Sequence, residues 1–240
     1  MTIRDVSELE EIDIENLEFL GFGHYGNVYK LDNSHVLKIF HDEKLALILE
    51  KNHAESFIEY LTKLSKKKLN IIVAPETVYK DEHGYVLAYV SKYINGIKLN
   101  SNDFGEVDIN VFMKALESFY CELSKIKDLI FYDGSARNLI LEDGLKLVDL
   151  DLAKFQRYLD YEDVLKENYR ILNNAIYKAI TKLKSEDRLN DINLFELVCL
   201  IESGSYSLPN LLTEYINYIN NHYFEVKKVK DLRYPYVGRI

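Results

Sequence analysis

The sequence contains few prolines and few cysteines, with three prolines and two cysteines among its 240 residues. So few prolines leave no segment that could act as a rigid spacer, and the chain has neither an internal repeat nor a low-complexity linker. Cys121 and Cys199 each lie in an apolar stretch with helical spacing, and neither has the spacing of a metal ligand. We therefore expect both to be reduced thiols in the core of a cytosolic protein.

Long apolar runs and an excess of basic residues are also absent. No run approaches the ~18 apolar residues that a membrane span requires. The acidic N-terminus lacks the apolar core of a secretory signal. The net charge of −9 disfavours nonspecific nucleic-acid binding, which requires a basic surface. We expect a cytoplasmic protein that spans no membrane and has enough residues for one large domain or two lobes.

Three glycines near the N-terminus form the pattern G-x-G-x-x-G-x-V. They are Gly21, Gly23 and Gly26, followed by Val28. Glycine allows backbone N–H groups to close over phosphates, because no Cβ stands in the way. A dinucleotide-binding loop must lead into a helix. Here the glycines lead into a strand-like run at 28–31, so the pattern favours a phosphate loop between two strands.

Lys38 interrupts the otherwise apolar strand predicted at 36–40. In isolation such a lysine is interpreted as facing solvent, but beside a phosphate loop its ammonium group suits nucleotide phosphates. Residues 43–66 have the periodicity of a helix with a broad apolar stripe. If Lys38 requires a counter-ion from this helix, Glu55 is the favoured residue and Glu59, one turn later, is the alternative.

The rest of the chain divides into a strand-rich first part and a helical second part. Strands predicted at 76–80 and 85–94 bring the first part to about five strands, and Asn95-Gly96 has the character of a hinge. The second part is predicted to contain helices at 107–127, 161–184, 191–202 and 208–222.

An acidic stretch at 131–152 contains the residues best suited to metal and proton chemistry. Asp133 and Asn138 form D-x-x-x-x-N, and Asp149 follows the apolar run 145–148. A loop residue that can accept a proton, together with an asparagine and an aspartate on neighbouring chain ends, suits a Mg-nucleotide site, because Mg²⁺ takes a few oxygen ligands from the protein and the rest from phosphates and water. Taken alone, the stretch is equally compatible with an acidic turn, because the pattern is short.

In this order the motifs resemble those of the protein-kinase-like superfamily, over roughly residues 17–152. They look like those of a compact bacterial or viral protein kinase, and they also resemble the related aminoglycoside-phosphotransferase-like kinases. The resemblance implies an α+β, bilobal fold. Residues 1–94 would form an N-lobe with an antiparallel sheet of about five strands and one long helix. Residues 95–240 would form a mostly helical C-lobe, and the cofactors would be ATP and Mg²⁺.

The same resemblance implies a role for each matching residue. Asp133 would accept or orient the proton of the acceptor hydroxyl, Lys38 would hold the α- and β-phosphates, and Glu55 would orient Lys38. Asn138 and Asp149 would bind Mg²⁺. The other nucleotide contacts would come from the glycine loop, from apolar side chains above and below adenine, and from hinge backbone groups. These contacts are implied for Gly21, Gly23, Gly26, Val28, Val36, Lys92, Ile94 and Ile140.

Two motifs depart from the pattern of the superfamily. The usual H-R-D is Phe131-Tyr132-Asp133, and without the arginine we expect activity that does not depend on a phosphorylated activation loop. The usual D-F-G is Asp149-Leu150-Asp151. Loss of the glycine predicts a less mobile segment, in which Asp151 either adds an oxygen near the metal or caps the following turn.

No A-P-E motif follows, so we expect a reduced peptide-docking platform. The function that the resemblance implies first is transfer of the γ-phosphate of ATP to a protein hydroxyl, with serine/threonine and tyrosine both open. A small-molecule kinase and a nucleotide-binding regulator with little turnover are the alternatives. One fold hosts many functions, so the fold alone does not decide among them.

Overall fold

The computed structural model describes residues 1–23, 25–41, 56–156, 158–181, 199–200, 203–222 and 224–233. The chain divides into two compact units. The first comprises Met1–Asn95 together with Leu150–Leu152, and the second comprises Gly96–Asp149 together with Ala153–Ile240. Across the described ranges, no helix combines the length and apolar character needed to cross a bilayer.

The first unit is built on a six-stranded sheet. Its strands are β1 (Thr2–Asp5), β2 (Glu18–Phe22), β3 (Gly26–Lys30), β4 (His35–Phe40), β5 (Pro75–Lys80) and β6 (Val86–Lys92). They are arranged in the order β1-β5-β6-β4-β3-β2. The five-stranded antiparallel prediction missed β1, which pairs in parallel with β5 at the sheet edge. All four side chains of β1 are exposed, so the sequence carries no alternating pattern that would predict it.

Helix α1 (Ser7–Glu10) and helix α2 (Phe57–Lys66) also belong to the first unit. The Ser56 hydroxyl caps α2 by accepting from the Glu59 N–H at 3.3 Å. The buried face of α2 carries residues at helical spacing, namely Phe57, Tyr60, Leu61 and Leu64. The structure describes only this part of the helix predicted at 43–66, because residues 42–55 lie outside the described ranges.

The second unit contains short strands and three long helices among its described residues. Strands β7 (Ile97–Lys98), β9 (Leu139–Leu141) and β10 (Leu145–Leu147) form one sheet in the order β10-β9-β7, and β11 (Lys154–Phe155) pairs with β8 (Leu129–Ile130) in another. The helices are close to the predicted positions, although the predicted helix at 191–202 lies almost entirely outside the described residues. The three long helices are α3 (Ile109–Leu123), α4 (Tyr161–Thr181) and α5 (Leu208–His222).

A short 3₁₀ helix, Val229–Arg233, returns to the start of this unit. Glu106 accepts from the Nζ atoms of Lys228 and Lys230 at 2.8 and 2.7 Å. These hydrogen bonds, first from Lys228 and then from Lys230, lower the pKa of Glu106 to about 2. The pair of lysines therefore attaches the C-terminal segment to the residues just before α3.

Both cysteines are exposed, so the prediction of core thiols is wrong. Helix α3 buries Leu116, Phe119, Tyr120 and Leu123, which follow one another at spacings of three, one and three residues. Cys121 falls outside that stripe and faces solvent. An apolar composition identified the helix correctly but did not establish which of its faces each residue occupies.

Candidate functional site

The glycine loop is a tight turn between two antiparallel strands, as predicted. The Gly23 N–H donates to the Gly26 carbonyl at 2.8 Å, and β2 pairs antiparallel with β3. A Cβ on Gly26 would lie 2.3 Å from the carbonyl oxygen of Ile39 on β4, so only glycine fits there without a backbone shift. A strand follows the loop, and the geometry of a dinucleotide-binding helix is absent from this described segment.

Lys38 is buried in β4, and its ammonium group pairs with Asp151. Lys38 is 3% exposed and Asp151 is 2% exposed. The Nζ atom of Lys38 lies 2.5 Å from Oδ2 of Asp151. The Tyr89 hydroxyl donates to the other carboxylate oxygen, Oδ1, at 3.1 Å. The solvent-facing interpretation of Lys38 is therefore wrong.

Aromatic side chains surround this ion pair. The Lys38 Nζ lies 5.6 Å from the ring centroid of Phe40 and 5.9 Å from that of Tyr89, within the range of a cation–π interaction. On α2, the ring of Phe57 lies 6.0 Å from that of Phe40. The Tyr60 hydroxyl donates to the Leu150 carbonyl at 2.5 Å. Burial, followed by the charge of Asp151, raises the pKa of Tyr60 well above its ordinary value.

The described glutamate of the predicted lysine–glutamate pair does not take part. Glu59 is exposed in the first turn of α2, so this alternative is wrong. The favoured residue, Glu55, lies outside the described residues. The two roles expected for Asp151, a metal oxygen or a turn cap, both missed its contact with Lys38. Its partners are 113 and 62 positions away in the chain.

In the second unit, Asp133 and Asn138 meet in one compact loop. The Asn138 Nδ2 donates to the backbone oxygen of Asp133 at 3.0 Å and to its Oδ2 at 3.2 Å. Backbone bonds from Gly134 to Phe131 and from Ser135 to Asp133 tighten the turn, at 2.9 and 2.7 Å. Because the amide nitrogen is committed to Asp133, the Oδ1 of Asn138 is the atom suited to a cation.

Asp149 follows β10 in an unusual backbone conformation. Its φ is 57°, and it is the one non-glycine residue with positive φ in the described part of the chain. Asparagine and aspartate tolerate this left-handed region better than other residues, and such outliers concentrate at functional sites. The preceding residue, Val148, donates its N–H to the Asn138 carbonyl at 2.9 Å. Asp149 therefore directly follows a residue that is hydrogen-bonded to Asn138.

The donor set of this loop fits Mg²⁺ better than a metal held wholly by protein. Within the described ranges, no group of three or more His, Cys, Asp or Glu residues is arranged to hold a metal. A carboxylate at Asp149 and an amide oxygen at Asn138 are the hard ligands that Mg²⁺ accepts, and Mg²⁺ keeps its remaining positions for phosphates and water.

The Asp133 carboxylate also has a cationic neighbour in the same loop, because the Arg137 Nη2 lies 4.0 Å from it.

Asn168 on α4 supports this loop and was not predicted. It is fully buried. Its Nδ2 donates to the Leu129 carbonyl at 2.8 Å and its Oδ1 accepts from the Phe131 N–H at 3.0 Å. The amide thus pairs with the backbone on both sides of Ile130, three residues before Asp133. The sequence could have indicated its burial, because Asn168 lies on the apolar stripe of α4, four residues from both Val164 and Leu172.

The remaining predicted nucleotide contacts are distributed over both units. In the first unit, Val28 lies opposite Lys38 in the β3–β4 register, and Val36 is half-buried on β4. Lys92 is exposed at the end of β6, and Ile94 is buried two residues later. In the second unit, Ile140 is buried at the centre of β9.

Comparisons with known proteins identify the fold. No family model matches the chain. Over 113 residues the chain is 24% identical to human Dynein regulatory complex protein 9; the match covers 47% of this chain and about a quarter, 24%, of that protein. A pseudokinase solved in its apo form matches with a TM-score of 0.52 and 14% identity, over 88% of this chain and 80% of the pseudokinase. The structural likeness confirms the predicted kinase-like fold.

Proposed function

We propose that this protein is a cytoplasmic phosphotransferase that uses Mg-ATP to phosphorylate a protein hydroxyl. The observation that carries the proposal is the contact between Asp133 and Asn138. It fixes the Asp133 carboxylate beside an amide whose nitrogen donates to it, which leaves the amide oxygen to act as a cation ligand in this proposal. Phosphoryl transfer depends on positioning and on neutralisation of charge more than on covalent chemistry, and such an arrangement meets that requirement.

The residues of the loop have separate tasks in this proposal. The Asp133 carboxylate accepts a hydrogen bond from the acceptor hydroxyl and takes its proton as the phosphoryl group is transferred. Asn138 and Asp149 would hold Mg²⁺, and its charge would neutralise that of the phosphates. In the first unit, we assign the turn from Gly21 to Gly26 and the ammonium group of Lys38 to the nucleotide phosphates.

Two observations favour other functions. Helix α4 begins at Tyr161 and β11 already pairs with β8 at Lys154, so residues 150–160 offer little chain for docking a peptide. This favours a small-molecule acceptor. The burial of Lys38 against Asp151, together with the similarity to a pseudokinase, favours a nucleotide-binding regulator with little turnover.

Incubation with ATP labelled on the γ-phosphate, with Mg²⁺ and with or without a generic protein acceptor, tests the proposal. Label on protein that disappears in Asp133→Asn supports it, and phosphoamino-acid analysis then distinguishes serine/threonine from tyrosine. The matched control is Asp143→Asn, in the exposed β9–β10 turn of the same unit. An equal level of label in the wild type and in Asp133→Asn would show that the loop is not catalytic.

Asp149 requires a substitution that keeps its backbone conformation. Because its φ is positive, Asp149→Asn is preferable to alanine, since asparagine tolerates this region. We expect loss of Mg²⁺-dependent nucleotide binding and of turnover together. Absence of label, with ATP still raising the melting temperature by mass action, would favour the regulator or a small-molecule kinase. Coupled turnover in a screen of metabolites then separates these two.

A further inference from the structure

The buried carboxylate of Asp151 is bound by two donors from neighbouring strands. Lys38 on β4 and Tyr89 on β6 are directly opposite each other in the sheet register. Their polar ends converge on the two oxygens of one carboxylate, at 2.5 and 3.1 Å. Cross-strand neighbours lie side by side on one face of a sheet, so the two strands together form a specific binding position for the carboxylate.

We propose that Asp151 is a positioning residue for Lys38, holding its ammonium group oriented for nucleotide phosphates. The inference rests on the proposed function and adds to it a residue that orients the lysine. The glycine usual at this position in the superfamily has no side chain with which to do so. The departure from D-F-G therefore supplies a charged group.

Burial makes a charged partner favourable for the lysine. Lys38 is almost inaccessible to solvent, and the rings of Phe40 and Tyr89 flank its nitrogen. An ammonium group in such surroundings loses most of its hydration, and a hydrogen-bonded carboxylate compensates for that loss. If the carboxylate is replaced by a neutral amide, the ammonium group loses a charged hydrogen-bond partner at 2.5 Å and the contact that fixes its direction.

Contacts that hold Asp151 in place also support a positioning role. The Tyr60 hydroxyl on α2 donates to the carbonyl of the preceding residue, Leu150, and Tyr89 donates to the Asp151 side chain itself. Residues 150–152 belong to the same compact unit as β4 and β6. One hydrogen bond therefore holds the backbone just before Asp151, and another holds its side chain. The carboxylate held in this way in turn positions Lys38.

The role predicts that Asp151 affects only the phosphate-dependent part of nucleotide affinity. Calorimetric titration of the full chain with ATP and with adenosine, both in the presence of Mg²⁺, measures that part as the ratio of the two affinities. For Asp151→Asn we expect the ATP affinity to fall about tenfold or more, because a charge-assisted contact is lost. The affinity for adenosine should not change. Tyr89→Phe, which removes one hydrogen bond, should give a smaller loss in the same direction.

Matched controls and one further background complete the experiment. Asp5→Asn, on the exposed strand β1, and Tyr85→Phe, at a half-buried tyrosine, should leave both affinities unchanged. In a Lys38→Met background, Asp151→Asn should have no additional effect on ATP, because the residue acts through the lysine. A role confined to stability would not produce this coupling.

The outcomes separate this inference from the proposed function. If the wild type binds ATP but Asp151→Asn binds it equally well or more tightly, the positioning role is wrong and the proposed function stands. An equal loss for ATP and adenosine would also overturn it. If the wild type binds neither ligand, the proposed function fails and the inference fails with it. If Asp151→Asn does not fold, Tyr89→Phe decides by the same criteria.

Discussion

Substitution of Asn168 tests how the loop that contains Asp133 is held. Asn168 is fully buried on α4, and its amide is hydrogen-bonded to the carbonyl of Leu129 and the N–H of Phe131. Both of those residues are themselves at most 1% exposed. In Asn168→Ala, therefore, neither backbone group gains access to water in the native state, and both remain buried without the amide.

The expected loss of folding stability follows from the Leu129 carbonyl and the Phe131 N–H, which both lose their partner. A buried donor or acceptor left without its partner costs about 1–3 kcal/mol, so the pair corresponds to roughly 2–6 kcal/mol. A domain has a total stability of about 5–15 kcal/mol, so the loss is a large fraction of the whole. For a chain of this size, each kcal/mol lowers the melting temperature by about 2–4 °C.

Urea denaturation of the full chain measures the change, and hydrogen exchange at the Phe131 amide locates it. Asn168→Leu separates the hydrogen bonds from packing, because leucine fills the space but cannot pair with the backbone. We expect it to be as destabilising as alanine. Asn174→Ala is the control on the same helix, since the exposed Asn174 amide donates to the carbonyl of Arg170 one turn earlier. A change below about 0.5 kcal/mol in Asn168→Ala, or full stability in Asn168→Leu, would refute the argument.

Three further changes are predicted from local contacts. Because the pKa of Glu106 is lowered from 4.5 to about 2 by its two lysines, its contribution to stability is present above pH 4.5 and is lost as the pH falls towards 2. Glu106→Gln should flatten the stability profile over that interval, and an unchanged slope in acid denaturation would contradict this. The pKa of His35 is raised chiefly by hydrogen bonding to Asp32. Its contribution is therefore full below the ordinary value of 6.5 and disappears as the pH rises through the native value, which NMR titration of the ring and of an Asp32→Asn variant can check. Gly26→Ala should destabilise the chain, because its Cβ would lie 2.3 Å from a backbone oxygen, whereas Gly144→Ala meets no atom within 4 Å and should be nearly neutral in thermal denaturation.

Features that depend on residues close together in the chain were predictable from the sequence. The glycine turn between two strands is local, and its pattern indicated both the turn and the strands. Asp133 and Asn138 are five positions apart, so a single tight loop brings them into contact. The helix at 208–222 was predicted at its observed bounds, because its apolar residues follow the helical period.

Features that depend on distant contacts were not predictable in the same way. Lys38 and Asp151 are separated by 113 positions, and neither local pattern indicates the other. The helix periodicity offered Glu59 as a partner for the lysine, but its exposed position excludes it. Strand β1 also depends on a distant partner. Its exposed side chains carry no pattern, and its parallel pairing with β5 supplies the backbone hydrogen bonds that define it.

The segment Asp149-Leu150-Asp151 shows why a departure from a motif can add chemistry as well as remove it. The sequence predicted lower mobility from the lost glycine, and for Asp151 either an oxygen near the metal or a turn cap. In the structure, Asp149 adopts a left-handed conformation directly after the residue bonded to Asn138. The Leu150 carbonyl accepts from Tyr60, and Asp151 forms a buried ion pair. A stiffer backbone alone would not require a charged side chain, and burying one without a partner is costly. The presence of aspartate at this position is explained by the lysine that it binds.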